Sequence, residues 1–82
     1  MSIKKEQIKI DTVLLAVKKY RPDFGNHFIP HGFTVKVIGF EEHDLYGSLV
    51  KVMFARPYQG EQPVVYVGLT HITDGRYFQI EN

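Results

Sequence analysis

The sequence contains no cysteine and only two serines, Ser2 and Ser48. The absence of cysteine excludes disulfide bonds, thiolate metal sites and thiol nucleophiles, and it is compatible with a reducing compartment. A serine hydrolase needs its nucleophile beside a histidine and an orienting acid. Ser2 lies at the terminus and Ser48 begins a predicted strand, so we expect no nucleophilic catalytic centre. From the absence of cysteine we expect a cytoplasmic protein.

The sequence also lacks long apolar runs and a large net charge. No stretch approaches the roughly 18 consecutive apolar residues of a transmembrane helix, and residues 1–7 lack the apolar run of a secretory signal. The formal net charge is +1, whereas phosphate-driven affinity for nucleic acid needs several concentrated cations. We expect no membrane association, and nucleic-acid binding only through a local basic patch.

What the chain does contain is typical of one packed domain. Its 82 residues are 44% hydrophobic and 13% aromatic, which suits one core and leaves no room for a second. We predict a single domain over 1–82, with a helical segment at 1–21, a connector at 22–32 and an antiparallel sheet or small barrel at 33–82.

The clearest periodic signal predicts an N-terminal helix. Apolar side chains recur there with the 3.6-residue period of one helical face, at Ile10, Val13, Leu14, Val17 and Tyr20. Asp11 is placed to cap the start of this helix, and Pro22 ends it. For residues 1–10, a helical extension, a short strand and a loose run-in all remain open.

The connector has two prolines and two glycines without a sustained period, so no regular element is predicted in it. Its apolar side chains are too many for a solvated linker. We expect Phe24, Phe28 and Ile29 to plug one end of the core.

From Phe33 onward the apolar pattern alternates, as it does in half-buried strands. Strands are predicted at 33–37, 48–55 and 64–67. Gly39 predicts a bulge or bend after the first of them.

The last strand is predicted from a turn. Asp74-Gly75 is typical of a two-residue type I′ hairpin, in which His71 would face Phe78. The sequence thus predicts an α+β fold, with one N-terminal helix followed by a strongly curved antiparallel meander of about four strands. The sheet either coils into a small SH3-like barrel or is covered by the helix.

Side chains with catalytic or metal-binding chemistry are scattered. His27 and His31 are four residues apart, and Asp23 lies four residues before His27. This spacing superficially matches a metal-binding ladder, but Pro30 opposes the helix on which the ligands would converge. His71 is expected at the edge of the core, and no glycine-rich phosphate loop occurs. We predict no metal site, no cofactor and no enzymatic activity.

A charged corner separates the first two predicted strands. Its carboxylates, Glu41, Glu42 and Asp44, are adjacent on a turn, where side chains usually diverge into water. We interpret them as a solvated corner that suits contact with a basic partner.

The loop at 56–63 is the first candidate binding surface. It carries Arg56, Tyr58 and Gln59, near strand ends that bear Met53 and Tyr66. Arginine, tyrosine and methionine are enriched in protein interfaces because they combine large contact area with adaptable polar ends. The alternative is that Tyr58 only folds over the rim of the core.

A basic group is the second candidate. Lys18, Lys19 and Arg21 follow one another closely, and Lys36 or Lys51 can join them from the sheet. They predict a nucleic-acid contact, unless they only balance the dipole of the predicted helix.

The expected function is that of a non-enzymatic protein-interaction module: an adaptor, inhibitor or accessory subunit of a larger protein. Small proteins of this type are frequent among viral and mobile-element accessory factors. The alternative is a nucleic-acid-binding small barrel that uses the Lys/Arg group and exposed aromatics. A ligand site assembled across a dimer from carboxylates and His71 is the least favoured. Self-association through an edge strand, expected at the C-terminus, is also consistent with the pattern.

Overall fold

The computed structural model describes residues 3–22 and 27–81, whose strands form one antiparallel sheet. A short 3₁₀ turn occupies Lys5–Gln7, and a short α-helix, α1, occupies Leu69–Thr73. The strands in chain order are β1 Val13–Ala16, β2 Thr34–His43, β3 Gly47–Phe54, β4 Val64–Gly68 and β5 Phe78–Ile80. Side by side their order is β4-β3-β2-β1-β5, so β1 lies inside the sheet and β4 and β5 lie at its ends.

The predicted N-terminal helix over 1–21 is wrong, because residues 13–16 in the middle of its apolar stripe form β1. Leu14 and Ala16 are fully buried, while Val13 and Leu15 on the other face are half-buried. A strand that is paired on both edges and partly covered on both faces is apolar at nearly every position. Such a run also contains the i, i+3, i+4 spacing of a helical stripe, so periodicity alone did not separate the two structures.

The predicted four-stranded meander and SH3-like barrel are also wrong. The described residues contain five strands, and α1 interrupts the meander between β4 and β5. β4 and β5 do not pair with each other, so the sheet is not closed. These end strands have five and three residues.

The predicted hairpin at Asp74-Gly75 is wrong as well, because these residues end α1. The Asp74 amide donates to the Thr70 carbonyl and the Gly75 amide donates to the Ile72 carbonyl. Gly75 has a φ of +75°, and a glycine in this left-handed conformation ends a helix as readily as it forms a hairpin turn. His71 therefore lies in α1 and not opposite Phe78.

The β2–β3 hairpin is the longest element. β2 has ten residues and β3 has eight, and the pairing shifts between Val37 and Gly39, as the glycine predicts. Residues 40–47 are all exposed, so the far end of the hairpin extends past the core.

The core is built from the inward faces of all five strands together with residues from α1, the N-terminal segment and the connector. α1 packs against β3, β4 and β5. In the connector, Ile29 is fully buried and Phe28 is half-buried, while Phe24 lies outside the described residues. The core comprises Ile3, Ile8, Leu14, Ala16, Tyr20, Ile29, Phe33, Val35, Val37, Val50, Val52, Phe54, Val65, Val67, Ile72 and Phe78. No helix among the described residues is long and apolar enough to cross a bilayer.

A partly buried hydrogen bond between side chains links Tyr20 to α1. The Tyr20 hydroxyl lies 2.6 Å from His71 Nδ1 and accepts a hydrogen bond from the Gly68 amide at 3.4 Å. Which of the two groups donates depends on the tautomer of the imidazole. The two rings also meet edge to face, with centroids 5.4 Å apart.

Tyr20→Phe is expected to lower the free energy of unfolding by about 1–3 kcal/mol, because it removes a hydrogen-bond partner from His71 and Gly68 in a largely buried site. Urea denaturation followed by circular dichroism measures this loss. The control is Tyr77→Phe, since the Tyr77 ring packs 5.2 Å from Tyr20. Its expected change is below about 0.5 kcal/mol, and equal losses in both variants would contradict the proposed role of the Tyr20 hydroxyl.

Candidate functional site

Aromatic rings and exposed cations meet at the end of the sheet where β2 begins and β3 ends. The connector, the start of β2 and the loop after β3 all contribute to this region. We call it the aromatic–cation surface, and it consists of Lys19, Arg21, Phe28, Phe33, Arg56 and Tyr58.

Tyr58 is the central ring of the surface. Its ring packs edge-on against Phe28 and Phe33, with centroid separations of 6.2 Å and 5.4 Å. Phe33 in turn lies 4.9 Å from Phe54 in the core. The surface is therefore continuous with the core and is held in place by it. Tyr58 thus packs at the rim of the core and remains half-buried, which is compatible with both interpretations of this residue.

The cations lie over the rings. Lys19 Nζ is 4.5 Å from the centroid of Phe28, and Arg21 Cζ is 6.0 Å from the same centroid. Arg56 Cζ is 4.4 Å from the centroid of Phe33. All three residues are exposed, so each charged end lies over a ring and is also accessible to water.

A backbone bridge between Tyr20 and Ile29 explains why Lys19 and Arg21 reach Phe28. Tyr20 and Ile29 exchange two backbone hydrogen bonds of 2.9 Å and 2.8 Å. The residues that flank Tyr20 are then placed beside the residue before Ile29. This local antiparallel bridge positions two of the three cations.

A tight turn fixes Tyr58. The amide of Tyr58 donates to the Glu61 carbonyl at 2.7 Å, and the Glu61 amide donates back at 3.0 Å. The central residues Gln59 and Gly60 have φ values of +52° and +81°, as in a type I′ turn. A positive φ is strained for glutamine. The turn with two positive φ values thus lies here and not at Asp74-Gly75.

A groove of about 270 Å³ opens beside Tyr58. Its lining is divided almost evenly between apolar surface and polar surface, the latter including an imidazole, an amide and one carboxylate. It is lined by His27, Phe28, Phe54, Tyr58, Gln59, Glu61 and Pro63. This geometry can accept an apolar side chain and hold polar groups around it.

The structure divides the first predicted group of binding residues. Arg56, Tyr58 and Gln59 lie at the surface or its groove. Met53 and Tyr66 lie on the outward face of the sheet, opposite in direction to the buried residues that alternate with them. The register pairs Lys36 with Met53 and Lys51 with Tyr66 on that outward face.

The second predicted group is divided too. Lys19 and Arg21 join the aromatic–cation surface, and Lys18 is exposed beside them. Lys36 lies on the outward sheet face, where its Nζ is 3.6 Å from Asp11 Oδ1. The two predicted groups therefore share one surface, to which each contributes only part of its residues.

Sequence reasoning missed the role of Phe28 and Phe33, which connect the two groups. Phe28 was expected to plug the core and Phe33 to begin a strand. The available signal was the sequence Phe-Ile-Pro-His-Gly-Phe, in which two aromatic residues flank a proline and a glycine. A return of the chain at this point brings both rings to one end of the sheet.

Side chains that could bind a metal ion are dispersed in the described part of the chain. Among residues 3–22 and 27–81, no three His, Cys, Asp or Glu side chains are grouped to hold a metal ion. His27 and His31 are exposed, and Asp23 lies outside the described residues. His71 is half-buried at the edge of the core, bonded to Tyr20.

A larger cavity of about 450 Å³ lies between the N-terminal segment and β5. Apolar side chains and two glutamines surround it, and none of its lining residues is titratable. It is lined by Ile3, Gln7, Val17, Gly75, Phe78, Gln79 and Ile80. The cavity offers apolar contact without groups for acid–base chemistry.

The opposite end of the β2–β3 hairpin carries exposed apolar and acidic side chains. We call it the hairpin tip, and it consists of Phe40, Glu41, Glu42, His43, Asp44, Leu45 and Tyr46. Leu45 is 84% exposed, and Phe40 is 51% exposed. The His43 ring organises the turn, because its Nδ1 accepts hydrogen bonds from the amides of Leu45 and Tyr46 at 3.0 Å and 3.3 Å.

The chain matches no family model, no curated protein and no solved structure in the comparisons with known proteins.

Proposed function

We propose that this protein is a non-enzymatic protein-interaction module, which acts as an adaptor, inhibitor or accessory subunit of a larger protein. The partner binds at the aromatic–cation surface. The segment that the partner presents is acidic and carries an apolar side chain, which enters the groove beside Tyr58. The observation that carries the proposal is the meeting of three exposed cations with the half-buried rings of Phe28 and Tyr58 next to that groove.

The residue types at the surface support a protein partner. Arginine and tyrosine are the side chains most often found at the energetic centres of protein interfaces, where a rim excludes water from them. Arg56 and Tyr58 are both anchored by packing on Phe33. Little side-chain entropy is then lost when a partner binds, which favours affinity.

Nucleic-acid binding, the second candidate, is less well supported. Stacking of bases needs free aromatic faces, whereas Lys19 lies over Phe28 and Arg56 lies over Phe33. The four cations proposed for this role are divided between two parts of the molecule, because Lys36 pairs with Asp11 on the outward sheet face.

The cellular setting of the proposal is the cytoplasm, and a viral or mobile-element accessory role is in keeping with it. The absence of cysteine from the sequence supports the cytoplasmic setting.

The test is affinity capture from the native host with tagged protein, followed by mass spectrometry of the retained proteins. The wild type is expected to retain one saturable protein partner. Arg56→Ala and Tyr58→Ala are expected to weaken retention at least about 10-fold, the size of effect typical of an interface hot spot. Lys51→Ala is the matched control, because Lys51 lies on the outward face of β3 and its loss should leave retention unchanged.

The same variants are tested against labelled single-stranded DNA and RNA by fluorescence anisotropy at low salt. We expect no binding by the wild type. Salt-sensitive nucleic-acid binding that Arg56→Ala abolishes, without a retained protein, would replace the proposal with the second candidate. Equal retention by Arg56→Ala, Tyr58→Ala and Lys51→Ala would show that the partner binds elsewhere.

A further inference from the structure

We propose that the aromatic–cation surface of one molecule binds the hairpin tip of a second copy of this chain, so that copies associate head to tail. The inference rests on the proposed function, because it names one occupant of the same surface. A larger partner that presents a similar acidic segment would compete with the second copy.

The two surfaces lie at opposite ends of one element. β2 begins next to Phe33 in the aromatic–cation surface and ends at His43 in the hairpin tip. Ten residues at about 3.3 Å each span about 30 Å, and the longest dimension of the molecule is 31 Å. The tip therefore cannot reach the surface of its own molecule, and any contact between the two must join different copies.

Their charges are complementary. The hairpin tip carries Glu41, Glu42 and Asp44, and the opposite end carries Lys19, Arg21 and Arg56. The ion pairs of Lys36 with Asp11 and of Arg76 with Asp74 lie away from the carboxylates of the tip and the cations of the surface. The Glu42 carboxylate accepts a hydrogen bond from Ser48, which leaves its negative charge in place. The two ends therefore carry charges of opposite sign.

Their shapes are complementary as well. Leu45 projects from the turn with 84% of its area exposed, and the groove beside Tyr58 has a volume of about 270 Å³ and is lined in part by aromatic rings and Pro63. A leucine side chain fits within this volume. The acids on either side of Leu45 in the sequence would then lie near the cations on the rim of the groove.

Such a contact is heterologous, because the two interacting surfaces are different. Each molecule in a head-to-tail chain keeps one free tip and one free surface, so association continues until a ring closes or the protein is exhausted. A contact limited to one hairpin tip and one groove would bury little surface. We therefore expect weak association that depends on protein concentration and salt.

Sedimentation velocity from about 1 µM to about 1 mM tests the inference. The wild type is expected to sediment faster as its concentration rises, and less so in about 0.5 M salt. Leu45→Asp blocks the tip and Arg56→Glu blocks the surface, so each variant alone should stay monomeric. An equimolar mixture of the two should form a dimer and nothing larger, because it contains one working tip and one working surface.

Two matched controls use the same substitutions elsewhere. Ile10→Asp places an acid at another exposed apolar position, and Lys51→Glu reverses a charge on the outward face of β3. Both are expected to self-associate like the wild type. Circular dichroism and the urea midpoint of each variant establish that it is folded.

A wild type that remains monomeric at all concentrations would overturn the inference, and so would a mixture of the blocked variants that stays monomeric. Association that Leu45→Asp and Arg56→Glu both leave intact would place the contact at another surface, such as the edge strands β4 and β5. The proposed function is tested separately. If the wild type is monomeric but Arg56→Ala still weakens capture of the partner, the proposed function stands and only the self-association is overturned.

Discussion

Leu14→Ala is expected to lower the free energy of unfolding by about 2–5 kcal/mol, since it removes a fully buried side chain from an internal strand and leaves a cavity. Leu14 has no exposed area and pairs with Val35 on one side and Ile80 on the other. A small domain has a total stability of about 5–15 kcal/mol, so this one change removes a large share of it. Urea denaturation at 25 °C, with the slope checked against the wild type, measures the loss.

Ile10→Ala is the control, and it makes the experiment a test of β1. Leu14 and Ile10 belong to the same helical stripe, so a helix would bury both and both substitutions would be costly. In the structure Ile10 lies before β1 and is 53% exposed. Its truncation should cost less than about 0.5 kcal/mol. Similar losses for the two variants would contradict the strand.

The sequence predicted the alternating region better than the N-terminal part because of the residue types at the outward positions. In β3 the buried Val50, Val52 and Phe54 alternate with outward positions that include the charged Lys51, which gives a clear period of two. In β1 the outward positions are also apolar, so the alternation is hidden in the run Val-Leu-Leu-Ala-Val. The order of strands was beyond sequence reasoning, because the pairing of β1 with β5 joins residues more than sixty positions apart.

Local turn chemistry was also ambiguous. Asp74-Gly75 and Gln59-Gly60 both place a glycine at positive φ. Asp-Gly is the more typical hairpin pair, yet it ends α1, while Gln59-Gly60 forms the tight turn. What decides between the two uses is whether the preceding residues can bury a helical face, and Ile72 of α1 does so completely.

The candidate site was predicted in part. Arg56, Tyr58 and Gln59 stand out by residue type in a polar loop, and so do Lys19 and Arg21 by charge. The proximity of these two groups depends on the backbone bridge between Tyr20 and Ile29, which no local sequence pattern indicates. Met53 and Tyr66 were grouped with the loop because they are near it in sequence, but the alternation of the strands turns them to the outward face.

Phe54→Ala is expected to lower the free energy of unfolding by about 3–5 kcal/mol and also to abolish partner binding by the molecules that remain folded. The stability loss follows from the size of the buried ring, which is 1% exposed. The loss of binding follows from position, because Phe54 supports Phe33, lies 6.3 Å from Tyr58 and lines the groove. Without this ring, neither the aromatic side chains nor the cation stacked on Phe33 keep their geometry.

Met53→Ala and Phe54→Leu separate the two effects. Met53 is the neighbour of Phe54 in β3 but faces outward and is half-exposed, so its truncation should cost about 1 kcal/mol or less and leave binding intact. Phe54→Leu keeps most of the buried volume and is expected to cost about 1–2 kcal/mol, yet it removes the ring against which Phe33 and Tyr58 pack. Phe54→Leu should therefore lower the affinity for the partner by much more than its small loss of folding stability would explain. Wild-type affinity in this variant would mean that the surface does not depend on the core beneath it, and the partner would then contact only the exposed cations.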